Sequence, residues 1–131
     1  MSPLLLSLFL NLLLWAAILV SQALFRGITH GFPYALGNFD KREPLTLGEH
    51  RLAIVRNNQL EALGLLIPTI LLIANLELNS QALFYAAYTH IAARVLYVCV
   101  SLAGIPILRT ALWAVAFSAW LYMIFPIFRA I

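Results

Sequence analysis

Residues 3–25 read PLLLSLFLNLLLWAAILVSQALF, and no Asp, Glu, Lys or Arg occurs before Arg26. A helix needs about 20 mainly apolar residues to cross the hydrocarbon of a bilayer, and this run supplies them. Asn11, Ser21 and Gln22 are its only stronger polar interruptions. The segment resembles a secretory leader, with Ser21-Gln22-Ala23 imitating a cleavage site. However, no basic residue precedes the apolar run, and the run is too long for a leader's apolar region. It is expected to remain as a membrane-spanning helix.

Working outward, three further segments repeat the pattern. Thr46-Leu-Gly-Glu49 has capping-box spacing, which predicts a helix from Leu47 to about Asn75 with a kink at Pro68. Asn79 or Ser80 is placed to cap a third span over 81–103. Gly104-Ile105-Pro106 should stop that helix and start a fourth over 106–128, because glycine ends helices and proline is tolerated in their first turn. Residues 26–46 then form the only substantial loop, with Phe32, Tyr34 and Phe39 among its charges as at a membrane interface. The expectation is one all-α domain, an integral membrane four-helix bundle.

Composition agrees. The chain has 131 residues, 63% of them hydrophobic and only 10% charged, with mean hydropathy +0.94. A soluble chain this short could not hide that much apolar surface, so membrane lipids are its expected surroundings. The net charge of +3 does not point to nucleic acid, because the basic residues are dispersed and form no soluble basic face. The lone Cys99 excludes an intrachain disulfide and reads as a small packing residue. Arg26, Lys41, Arg42, Arg51 and Arg56 lie in or beside the first loop and Arg109 follows the third span, whereas the second connection has no basic residue. The bias predicts both termini on the non-cytoplasmic side. The absence of retention or lipidation signals suggests a bacterial inner membrane.

Ionisable groups inside a membrane are costly and mark function or pairing. At 1.5 Å per residue, Glu61 on the second span and Arg94 on the third lie at about the same depth, so the two are expected to neutralise each other. Arg51, Asn58 and Glu61 share one face of the second span. His90, Arg94, Tyr97 and Ser101 step by four, three and four along the third. With Arg109 one turn into the fourth span, these residues predict a polar cleft open at one end of the bundle and suited to an anionic ligand. His90 is expected to be a hydrogen-bonded structural residue. No two histidines or acids have metal-ligand spacing on one helix face, so no metal is expected.

Asn58-Gln59-Leu60-Glu61 followed by Pro68, then Arg94-Val-Leu-Tyr97, then Gly104-Ile-Pro106-Ile-Leu-Arg109-Thr110, resemble the membrane-associated proteins in eicosanoid and glutathione metabolism. That family includes microsomal glutathione transferases. The resemblance covers essentially the whole chain. It implies a homotrimer with glutathione as co-substrate, bound between subunits near the cytoplasmic side. It also implies that Asn58, Glu61, Arg94 and Tyr97 contact or support glutathione, with Thr110 as a neighbouring hydroxyl; Arg51 joins this set by its place on the same helix face and by its charge. Arg109 matches the arginine that stabilises the thiolate, and a lipophilic electrophile would be the second substrate. Two positions depart from the family pattern: Ile54 stands where an arginine is usual, and Ser101 where a second tyrosine is usual.

The expected activity is therefore a glutathione-dependent transferase or peroxidase acting on lipophilic electrophiles. The alternative is a non-catalytic lipid-binding or scaffolding bundle of the same family. A small multidrug exporter ranks third, since it would need an unpaired membrane carboxylate for its protons.

Overall fold

The computed structural model describes all 131 residues as five helices: α1 (Pro3–His30), α2 (Phe32–Ala35), α3 (Leu47–Asn75), α4 (Gln81–Ala103) and α5 (Pro106–Ala130). Four of them, α1, α3, α4 and α5, are long and apolar enough to cross a membrane. Each boundary has a local cause. Ser2 accepts from the Leu5 amide ahead of Pro3 at the start of α1. Thr46 and Glu49 close the capping box of α3, and Ser80, not Asn79, caps α4 through the Leu83 amide. Gly104 ends α4 at φ 80°, ψ 33°, a left-handed conformation that glycine adopts without steric penalty.

α1 runs one turn beyond the expected end near Phe25 and stops only at Gly31, whose φ is 90°. The apolar run marks where hydrocarbon ends, but not where helical hydrogen bonding ends. Gly27 is therefore not a breaker. It lies buried inside the helix, and the Phe32 ring folds back so closely that an added Cβ would sit 2.5 Å from it. α3 is unbroken through Pro68. One turn before that proline, the Leu65 carbonyl accepts from the Thr69 hydroxyl at 2.7 Å and from Trp120 Nε1 at 3.2 Å.

The spanning helices run up and down in sequence. α5 packs chiefly on α4, α1 lies against α3 and α4, and α3 meets α5 sparsely. Leu4, Ile70, Ile73, Leu83, Met123 and Ile127 form an apolar layer at the end carrying the short 76–80 connection. Ile18, Val55 and Tyr97 form a smaller one towards the other end. Between them lies a buried polar layer of Ser7, Asn11, Gln59, His90 and Arg94. The outer faces carry exposed Leu, Ile, Val and Phe along every span, as lipid-facing helices do. Cys99 is exposed on α4, so it is not the packing residue that its apolar context suggested. The protein is an integral, multi-pass, all-α membrane bundle.

Candidate functional site

Because α3 and α5 barely touch, a groove runs between them, floored by α4. Three hollows lie along it. The innermost, about 110 Å³, is lined by Asn58, Glu61, His90, Arg94 and the aromatic side chains of Trp113, Phe117 and Trp120. The next, about 280 Å³, is lined by Ile54, Tyr97, Arg109, Thr110 and Trp113. The outermost, about 240 Å³, includes Arg51, Ile54, Ser101, Gly104 and Arg109. Adjacent hollows share Trp113, and then Ile54 and Arg109, so they form one path along the bundle. Every residue singled out in the sequence as a glutathione contact lies on that path.

Arg94 is the most deeply placed charge, only 1% exposed. Its Nε donates to Gln59 Oε1 at 2.8 Å, and its guanidinium carbon lies 4.6 Å from the centre of the Tyr97 ring. Nη2 is buried without a partner. The expected ion pair with Glu61 does not form: the arginine–carboxylate pair of the protein is Arg26–Glu49, and His30 hydrogen-bonds the same carboxylate. The reason is angular. Glu61 matches Arg94 in depth, but at about 100° per residue it points some 200° away from Gln59. Gln59 is buried towards α1 and α4, whereas Glu61 is exposed. Both Glu61 and Arg94 line the innermost hollow, with the carboxylate free.

The stripe on α4 is as predicted, with His90, Arg94, Tyr97 and Ser101 all buried. His90 Nδ1 lies 3.5 Å from Asn11 Nδ2. Arg51 donates from Nη1 to the Leu102 carbonyl at 3.2 Å, placing its positive charge at the C-terminal end of α4, where the helix dipole is negative. Arg109 is half-buried, and its side chain makes no ion pair or hydrogen bond, so its guanidinium is free at the groove. Thr110 donates to the Pro106 carbonyl at 3.1 Å, which leaves its hydroxyl oxygen able to accept. No cluster of His, Cys, Asp or Glu could hold a metal ion.

Three buried polar atoms on the groove's own lining residues lack any partner: Asn58 Oδ1, Arg94 Nη2 and Ser101 Oγ. An unsatisfied buried polar group costs about 1–3 kcal/mol; each of these three atoms is closed over by its own neighbours, so a ligand in the groove would reach it only with a local side-chain shift. Gln59 and Asn11, which hold Arg94, were missed as site residues. Asn11 carried the usable signal. It is the one amide in the interior of the first apolar run, and a polar side chain at that depth needs a partner on another helix.

With this geometry in hand, the profile of the MAPEG family covers residues 2–129. The chain belongs to the MAPEG family. No curated protein and no solved structure gives a significant match. MAPEG membership places it among membrane proteins of glutathione-related transferase and peroxidase type. The donor set fits that chemistry. Glutathione carries two carboxylates and a thiol, and the groove offers two arginines with unoccupied donors, Arg94 and Arg109, beside neutral acceptors and donors.

Proposed function

We propose that the protein is a glutathione-dependent transferase or peroxidase acting on lipophilic electrophiles, with glutathione lying along the α3–α5 groove. Two arginines along one path, Arg94 and the unpaired Arg109, beside the neutral polar side chains of Asn58, Tyr97 and Thr110, carry this reading. Arg94 takes a carboxylate in a dry setting, where a charge-assisted hydrogen bond is strong. Asn58, Glu61 and Tyr97 line the peptide's path, and Arg51 adds positive charge near the mouth.

Arg109 is the catalytic residue. A thiol is a poor nucleophile until it ionises, and an adjacent guanidinium favours the anion. In conjugation, the thiol proton passes to water at the groove mouth and the sulfur lone pair forms the new C–S bond. The leaving group then departs with its bonding electrons. In peroxide reduction, two glutathione molecules give their electrons and protons to the O–O bond, yielding an alcohol, water and the disulfide. The lipophilic substrate arrives from the bilayer side, where Trp113 and Phe117 stack with ring centroids 5.2 Å apart.

In this reading the basic-loop end faces the cytoplasm of a bacterial inner membrane, and three copies assemble. Self-assembly is supported by the outer face of α3. The Gly64 α-carbon faces open space, and a small residue lets a neighbouring helix approach.

One observation favours the second reading, a non-catalytic lipid-binding or scaffolding member. Ile54, an apolar side chain, lines both outer hollows where the family pattern has arginine. Isothermal titration of the purified protein with glutathione, together with conjugation of chlorodinitrobenzene, separates the two. Heat of binding and turnover support the enzyme. Neither signal in folded protein would refute it and leave the lipid-binding reading.

A further inference from the structure

The buried layer between the two apolar layers has a direction. Ser7 Oγ on α1 donates to the Ala87 carbonyl on α4 at 2.8 Å. Asn11 Nδ2 donates to the Ser7 carbonyl at 2.9 Å, which turns Asn11 Oδ1 towards α3. Gln59 Nε2 then donates to Asn11 Oδ1 at 3.2 Å and to the Asn11 main-chain oxygen at 3.3 Å. With its nitrogen committed to two acceptors, Gln59 can present only its oxygen to α4, and Arg94 Nε donates to that oxygen at 2.8 Å. A flipped Gln59 would set an NH₂ group against a guanidinium. Ser7, Asn11, Gln59 and Arg94 are all buried, at 0%, 0%, 0% and 1% exposure.

The consequence falls on the other side of the guanidinium. Nε is anchored on Gln59 and the guanidinium carbon sits 4.6 Å from the centre of the Tyr97 ring, so the group is held from two sides. Nη2 is then left as the unpartnered donor of a residue lining the innermost hollow. From this we infer that Asn11 and Gln59 are positioning residues: the relay from α1 through Gln59 holds the Arg94 charge against the wall of the innermost hollow, where a local side-chain shift opens its unpartnered donor to the anionic ligand. The inference rests on the glutathione reading for the ligand's identity, but not for the geometry. Gln59 also suits the task better than a carboxylate. A neutral acceptor fixes the guanidinium without neutralising it, so the full positive charge stays available.

The test combines two readouts on purified protein in micelles. The first, hydrogen exchange of the Arg94 Nε–H followed by nitrogen-15 NMR, needs no ligand. The Nε–H should be strongly protected in the parent protein and lose protection in Gln59→Leu. Asn11→Ala, which keeps the main-chain acceptor, should lose less. The second is a double-mutant cycle on glutathione Kd. Gln59→Leu should weaken binding by about 10-fold or more, as expected for a misplaced charge-assisted contact, but should add nothing once Arg94 is Leu. Gln59→Glu is the discriminating variant. It keeps an acceptor for Nε, and hence the protection, but pairs the cation and weakens glutathione binding all the same.

A merely structural Gln59 would lower affinity equally in both Arg94 backgrounds, and that result would overturn the inference. So would an Arg94 Nε–H that exchanges as fast as that of Arg129. A protected Nε–H in a parent protein with no affinity for glutathione would instead sink the proposed function while supporting the orientation of Arg94. The two failures are therefore distinguishable.

Discussion

Gly104→Ala tests whether the turn between α4 and α5 and the position of Arg51 are one feature or two. Gly104 sits at φ 80°, where a side chain costs about 1–2 kcal/mol. A Cβ there would lie 2.5 Å from Arg51 Nη2. That atom is the end of a flexible side chain, so the clash is relieved by Arg51 swinging away. Swinging breaks its bond to the Leu102 carbonyl, worth about 0.5–1.5 kcal/mol. The single substitution should therefore cost roughly 2–3 kcal/mol. In an Arg51→Ala background the clash and the bond are already gone, and only the backbone strain of about 1–2 kcal/mol remains. The assay is equilibrium unfolding in mixed micelles, followed by the fluorescence of the three tryptophans. Glutathione affinity, read in parallel, should weaken in Gly104→Ala as Arg51 leaves the groove mouth. Strictly additive unfolding costs in the cycle would show that Arg51 does not rest on Gly104, and the account of the turn would fail.

Arg109→Leu should lower turnover by about 10²–10⁴-fold, the range for losing one electrostatic or proton-transfer contributor. Glutathione affinity should fall less, and Arg109→Lys should rescue only partly because it lacks the planar fork; steady-state conjugation kinetics with thiolate absorbance decide this. Glu49→Ala should destabilise by about 2–4 kcal/mol. Its carboxylate accepts from the Thr46 amide at 3.2 Å, from the Thr46 hydroxyl at 3.2 Å and from His30; Glu49→Gln, which keeps an acceptor, should cost less in the same unfolding assay. Reporters fused before Met1 or after Ile131 should be non-cytoplasmic and one inserted near Gly37 cytoplasmic. A cytoplasmic C-terminus would reverse the proposed orientation.

The helices were legible in the sequence wherever a local chemical signal set them. Thr46 with Glu49, Ser80, and Gly104 with Pro106 act within a turn of themselves, so the boundaries they mark match the structure. The end of α1 was not legible, because Gly27 looks like a breaker until the Phe32 ring is seen folded against it. Within the site, depth along the membrane could be counted from residue number, and it brought Asn58, Arg94, Tyr97 and Arg109 to one groove. Angle could not be read across helices. Matching Glu61 to Arg94 by depth alone missed that the neighbouring Gln59 faces inward. Asn11, an amide inside an apolar run, signalled that it needs a partner on another helix, but which partner emerged only when α1 was laid against α3.

The hydrogen-bonded layer formed by Ser7, Asn11, Gln59 and Arg94 also bears on how the chain enters the membrane. Inserted alone, α4 would expose Arg94 to lipid, at about 2.5–3.5 kcal/mol on insertion scales for a centrally placed charge. α1 and α3 emerge from the ribosome first and carry Asn11 and Gln59, so the partners wait in the bilayer before the arginine arrives. α5 contributes no bond to this layer. The bonds of this layer therefore need only the first three spans, and α5 adds the wall of Trp113, Phe117 and Trp120 that faces Arg94 across the innermost hollow.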